Sequence, residues 1–482
     1  MICAAWALLS LAPAQDPDSL PLLGTNLAPI EERTTQWPFI DVVRVSTGWV
    51  SVDGRALDVD SAGNLLSLAD GRQAELRAYT EGHHPLGPYT LTWKGTGEFA
   101  AGGGSRLDVT GPGSGILTVS EPRGIVLRMT KADSSDPPRD VRLWMPGFGS
   151  DVGPMAHHPV FLQRMGLYRV LRFADWTRAG DPDPVDWSRR ATRAHVTFAK
   201  KGVPYETALE LCADKNAVPW VSVPLGADDG HVAELAKMAF AMTRPSTRVI
   251  VEYGDEAWDS RYAQERGLAL KLADDPRLAG LRFSAQRSSE VFAIFEREFA
   301  GRDRLVRVWS GPLEDPPAWE EALSWNGFAK TVDAVSVRAQ FGQEVGKAGA
   351  LAPTDLDSLF GALFEEIETK RRILVREAVK HVRLHRKLLV SHRAGQALVS
   401  HDRQDEALDR LMDEANRDDR MREAYVKFFQ MWRDEGGSLV VHNSDCSPLR
   451  RDGRWGALEH QSQDSHQAPK HRGLIEYALF SR

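Results

Sequence analysis

The sequence predicts an α/β protein built as a (β/α)8 TIM barrel carrying a β-rich N-terminal domain, sandwich-like or jelly-roll-like. From Val141 onward, strand-like and helix-like patterns alternate, whereas residues 24–138 hold short strand-like runs separated by Gly, Pro and Asp turns. The length of 482 residues is too great for one compact core and suits two domains.

In the first segment the runs Asp41–Val45, Tyr89–Trp93, Arg106–Val109, Gly115–Val119 and Ile125–Met129 are the candidate strands. Ala132–Asp140, rich in Ser, Pro and Asp, reads as a linker, which gives domains at 24–138 and 140–482. The barrel strands are then Val141–Phe148, Tyr168–Phe173, Ala217–Pro224, Arg248–Tyr253, Leu305–Ser310, Val332–Val337, Lys387–Ser391 and Ser438–His442. Helical patterns at Tyr205–Asp214, His231–Met242, Ser284–Phe299, Leu356–Arg386 and Asp405–Asp434 separate most of them. A doubly wound open sheet is the competing arrangement. No Gly-rich phosphate loop follows any strand, which favours the closed barrel.

Residues 1–14 read as a signal peptide short of its charged n-region. An apolar run, Ile2–Ala12, is too short to span a bilayer and ends in the small residues Ala12-Pro13-Ala14. A buried N-terminal helix is the other reading of that run. Export implies a secreted or bacterial envelope location, and no later segment is long and apolar enough for a transmembrane helix. Of three cysteines, Cys3 leaves with the signal, and Cys212 and Cys446 suggest no disulfide framework. A net charge of −7 lacks the basic stripe of a nucleic-acid binder, and Ala415–Arg422 is most simply a solvated helix face. No Cys/His spacing suggests zinc. The pairs His83-His84 and His157-His158 read as solvated, so neither metal nor cofactor is expected.

In such a barrel, function sits where strands pass into the following loops. The second strand closes with Leu171-Arg172-Phe173-Ala174-Asp175-Trp176. The fourth closes with Glu252-Tyr253-Gly254-Asp255-Glu256-Ala257-Trp258. A carboxyl at that mouth beside aromatic rings is where a general acid for glycosidic cleavage belongs. Glu256 as a helix cap, or as the partner of a loop Arg, explains the local sequence equally well.

Several segments, in order, resemble bacterial proteins labelled cellulose-binding domain proteins, whose barrel looks like the clan of retaining glycosidases. They include Gly24–Leu27, Pro38–Asp41, Tyr89–Gly97, Leu171–Trp176, Gly202–Glu206, Pro219-Trp220, Glu252–Trp258, Gly395-Gln396 and Trp455–Glu459. In that clan an Asn-Glu pair ends strand four, with the Glu as acid/base, and an Arg ends strand two. The resemblance places Asp255, Glu256 and Arg172 on those positions. The clan's nucleophilic Glu at the end of strand seven falls on His392-Arg393, so the carboxylate is replaced by Arg393. Strand six shows Arg338-Ala339-Gln340-Phe341 where an aromatic residue is expected.

A retaining glycosidase needs two carboxyls about 5–5.5 Å apart. A guanidinium cannot attack the anomeric carbon, and beside Glu256 it favours the ionised acid. Three functions follow. The first is a carbohydrate-binding protein, partnered by a β-linked polysaccharide or oligosaccharide, with hydrolysis lost or much reduced. Its cleft would be lined by Trp176, Trp220, Trp258, Trp309, Gln396 and Trp455. The second is an active glycoside hydrolase pairing Glu256 with a relocated carboxylate, Asp445 or Asp402. The third is an envelope interaction protein without sugar affinity.

Overall fold

The computed structural model describes residues 20–181, 183, 185–259, 275–300, 303–347, 353–400 and 405–480. The proposed signal peptide and Asp402 lie outside these residues. Eight parallel strands close into a barrel: β1 (Leu23–Asn26), β12 (Val170–Arg172), β13 (Val218–Val223), β14 (Val249–Tyr253), β15 (Leu305–Ser310), β16 (Ala334–Phe341), β17 (Leu388–Gln396) and β18 (Val440–His442). The seam between β1 and β18 pairs Gly24 with Val441 and Thr25 with His442.

The closed parallel barrel is as expected, but its first strand is not. The sequence suggests Val141–Phe148. In the structure Arg139–Trp144 is β11 and pairs antiparallel with β6 (Gly87–Lys94), while Leu23–Asn26 opens the barrel. The domain boundaries at 24–138 and 140–482 are corrected accordingly: the β-rich segment is inserted between the first two barrel strands. Strand alternation in Val141–Trp144 is real, and only its long-range partner distinguishes the two placements. Strands two to eight keep the positions expected of them.

The inserted segment contains β2 (Val50–Ser51), β5 (Ala74–Ala78), β10 (Ile125–Ala132) and β7 (Gly97–Gly102) in one four-stranded antiparallel sheet. A second four-stranded sheet orders β11, β6, β9 (Ser114–Val119) and β8 (Arg106–Gly111). Their alternating buried residues, including Leu76, Tyr89, Leu91, Leu117 and Leu127, share one apolar cluster with the outer face of the barrel. Asp41–Val45, expected as a strand, is mostly a single 3-10 turn at Val42–Val45, capped by the Asp41 carboxylate accepting from Val43 N–H.

Barrel strands read as near-continuous apolar runs because both faces are covered. Side chains alternate between the two. Val170, Trp220, Ile250, Val308, Ala334, Val390 and Val441 fill the interior, while Val221, Val251, Trp309, Val335 and Val337 face the helices. At the tight seam Gly24 has no room for a side chain, since a Cβ there would meet Val170 Cβ at 2.8 Å.

Smaller expectations also change. His84 and His158 are buried, not solvated; His158 accepts from Val160 N–H and caps the helix Pro159–Met165. The Asp405–Asp434 helix is two helices, Glu406–Arg417 and Arg420–Asp434. Ala415, Asn416 and Met421 are buried at their junction, so Ala415–Arg422 is not simply a solvated face. Cys212 and Cys446 are free and buried. Among the described residues no helix is long and apolar enough to cross a membrane, and no group of three or more His, Cys, Asp or Glu is placed to hold a metal ion.

Candidate active site

Two residues beyond the apolar interior layer, toward the strands' C-terminal ends, the same inward-facing positions become polar. They are Asn26, Arg172, Ser222, Glu252, Ser310, Ser336 and His392, all buried. Such a layer persists only if its members satisfy one another. Arg172 organises it. Its Nε and Nη2 donate to Glu252 Oε2 at 3.1 and 2.8 Å, its Nη1 donates to Asn26 Oδ1 at 2.9 Å, and Nη2 also reaches Asp255 Oδ1 at 2.7 Å. Trp220 Nε1 donates to the same Glu252 oxygen at 2.9 Å, and Asn26 Nδ2 donates to the His392 carbonyl at 2.6 Å. Strands one, two, three, four and seven are thereby joined.

Glu252 and Asn26 were not singled out from the sequence. The signal was present in Glu252: a carboxylate within the apolar run Val249–Tyr253 has to find a buried cation. Arg172 is that cation.

Asp255 and Glu256 follow β14 in a turn where Gly254 and Glu256 both take positive φ, 71° and 54°. For Glu256 this is a costly backbone conformation, held by its side-chain contacts. Its Oε1 lies 3.2 Å from His392 Nε2, and Arg338 Nη2 donates to Oε2. His392 Nδ1 is 2.8 Å from Ser336 Oγ on one side of the ring, and Nε2 faces Glu256 on the other. Burial pushes the Glu256 carboxyl up, but the hydrogen bond and charge of His392, with Arg338, outweigh it and hold it at about 2.

Arg393 reaches Asp255 Oδ2 at 2.7 Å and Asp175 Oδ1 at 3.1 Å through Nη2, and Asn443 Oδ1 at 3.3 Å through Nη1. The guanidinium of Arg393, expected beside Glu256, is therefore paired with Asp255. Burial opposes ionisation of Asp255. The guanidiniums of Arg393 and Arg172 overcome it, with help from His392, and hold the carboxyl well below the usual range. Chemically, both carboxylates are ionised acceptors, and the group at the seventh strand is a cation.

Above this floor opens a cavity of about 290 Å³, whose lining includes Asp175, Arg338, Gln340, Arg393, Asn443 and Trp455. Gln340 is buried with its side chain against this cavity. Trp455 is half-buried, the one expected aromatic that lines this cavity.

The other expected platforms are corrected. Trp176 is fully buried against Phe39 and Phe161, Trp220 fills the barrel interior, and Trp309 donates its Nε1 to Ser284 Oγ at 2.9 Å on the helix side. Trp258 packs half-buried on the core beside the turn and does not line the cavity. Apolar area outbids the ligand for these rings. Gln396 is likewise internal: its Oε1 accepts from Leu398 N–H at 2.7 Å and its Nε2 donates to the Arg454 carbonyl. Asp445 is buried, accepting from Tyr168 Oη at 2.8 Å, rather than facing the mouth.

No protein-family model matches the chain, and no curated protein matches it. Solved structures do. An arabinofuranosidase of family GH51 from Xanthomonas axonopodis pv. citri shares 13% identity over 63% of this chain and 61% of its own, with a TM-score of 0.37. Xylanase 10C from Cellvibrio japonicus shares 9% over 90% of this chain and 98% of its own, TM-score 0.39. A GH5-4 endoglucanase from Clostridium longisporum shares 7% over 70% and 89%, TM-score 0.42. These are likenesses of fold.

Proposed function

We propose that this chain is an exported glycan-binding relative of the retaining glycoside hydrolases in which retaining hydrolysis is lost. The observation that carries the proposal is Arg393. It stands where the resemblance implies a nucleophilic carboxylate and is bound to Asp255 at 2.7 Å. Glu256, the implied acid, is held ionised by His392 and Arg338 and has no proton to give at neutral pH. Sugar is received in the cavity above, against the Trp455 ring, with Gln340 and Asn443 among the polar groups lining it. The β-rich segment supports the barrel. Among its described residues no Trp, Tyr or Phe is exposed, so it lacks a stacking face of its own.

The burial of Trp176, Trp220 and Trp309 favours a second reading, an envelope interaction protein without sugar affinity. A panel of β-glucans and β-mannans, scored for binding and for reducing-end release, separates the two. The first reading expects binding without release. Binding of none supports the second. Turnover with retained anomeric configuration, abolished by Glu256→Gln, overturns the loss of hydrolysis.

A further inference from the structure

A second cavity, of about 210 Å³, lies outside the loop that follows β12. That loop adjoins the mouth, since a Cβ on Gly180 would stand 3.8 Å from Asp255 Cβ, but the cavity shares no lining residue with the first. Its floor is apolar: Val203, Pro224 and the buried Tyr205, whose ring stacks on Trp187 and whose hydroxyl is 3.2 Å from Nε2 of the buried His231. Its rim is cationic. Arg178 and Arg190 are already engaged, with Asp181 at 2.6 Å and Glu206 at 3.0 Å. Arg189, Lys200 and Lys201 also line it, are exposed, and form no ion pair among the described residues. Against these three stands the lining carboxylate of Asp183, which forms no ion pair among the described residues. In a chain of net charge −7, three unpaired cations around one concavity form a local positive field.

We infer that this cavity is an oxyanion site, receiving the phosphate or sulfate group of a small sugar ester. The tetrahedral oxyanion engages the Lys200, Lys201 and Arg189 head groups, and the sugar occupies the rest of the cavity above its apolar floor. Two lysines and a guanidinium suit such a group because its oxygens accept hydrogen bonds on every side. The inference does not depend on glycan binding at the barrel mouth.

The test is calorimetric titration of the full chain with glucose, glucose 6-phosphate and glucose 6-sulfate. Both esters are expected to bind more tightly than glucose, the phosphate more so because of its higher charge, and both to weaken as salt rises. The exposed double variant Lys200→Ala/Lys201→Ala should weaken ester binding about tenfold or more. Arg338→Ala, at the mouth, should leave it unchanged. Equal affinity for glucose and its esters overturns the inference. So does ester binding that survives the double lysine variant, or that is lost with Arg338→Ala. Selective loss of one ester only identifies which oxyanion the site accepts.

Discussion

Arg172 is the residue whose loss the barrel should tolerate least. It makes four hydrogen bonds, two to Glu252 and one each to Asn26 and Asp255, from a fully buried position. Arg172→Met leaves Glu252 as a buried carboxylate without a cation, and removing one member of such a pair costs about 3–5 kcal/mol. Glu252→Leu should cost less, about 2–3 kcal/mol, because Asp255 and Asn26 still hold the guanidinium. The double variant removes both charges together. Its cost should fall short of the sum by about 2 kcal/mol or more, the coupling expected of residues in direct contact. Urea denaturation at neutral pH, followed by fluorescence and circular dichroism with matched slopes, measures all three. Simple additivity, or a cost below about 1 kcal/mol for Arg172→Met, would refute the reasoning that this ion pair anchors the mouth.

Three further outcomes are expected. Arg338→Ala should raise the Glu256 carboxyl from about 2 toward its ordinary range, visible by carboxyl-selective NMR titration. A depressed carboxyl stabilises the fold above its unfolded value and loses that contribution as pH falls through about 2, so acid unfolding of this variant should begin at higher pH. Asp445 behaves oppositely: burial pushes its carboxyl up to about 6, against the Tyr168 hydrogen bond. Stability should fall by up to about 3 kcal/mol as pH rises from about 4 through 6, and Asp445→Asn should flatten that slope in denaturation curves taken across the range. Finally, Trp220→Ala should destabilise by about 3–5 kcal/mol, while Trp455→Ala should leave stability nearly intact and weaken glycan binding.

Much of this was legible in the chain. The apolar runs at Val218–Val223 and Val249–Tyr253 are buried on both faces and announce themselves, and Arg393 met Asp255 because strand order alone places the fourth and seventh strands' ends around one mouth. What escaped depends on pairing at long range. Leu23–Asn26 is too short to show whether it belongs to a parallel or an antiparallel sheet, and Val141–Trp144 alternates as either kind would. The tryptophans were misjudged for another reason. Trp220 lies within β13, where one-residue parity decides whether a ring turns inward or toward the helices, and Trp176 lies in the turn beyond β12, where packing on Phe39 and Phe161 decides it. Glu256 was readable as the partner of an Arg, yet that Arg proved to be Arg338 on the sixth strand.

The insertion after the first strand has a consequence for biosynthesis. β1 leaves the ribosome early, but Asn26 must wait for Arg172, 146 residues later, and Thr25 for His442, 417 residues later. The inserted segment ends at Trp144, ahead of both partners, and its Asp41–Trp144 bridge joins the chain across most of the interval between Asn26 and Arg172. Once it has folded, the loop between β1 and β12 shortens from 146 residues to about 43, which lowers the closure cost by about 1 kcal/mol. A folded β-rich unit would therefore hold the two ends of that interval closer together than an open chain does. The first strand made is thus also one side of a seam that cannot close until β18 has been synthesised.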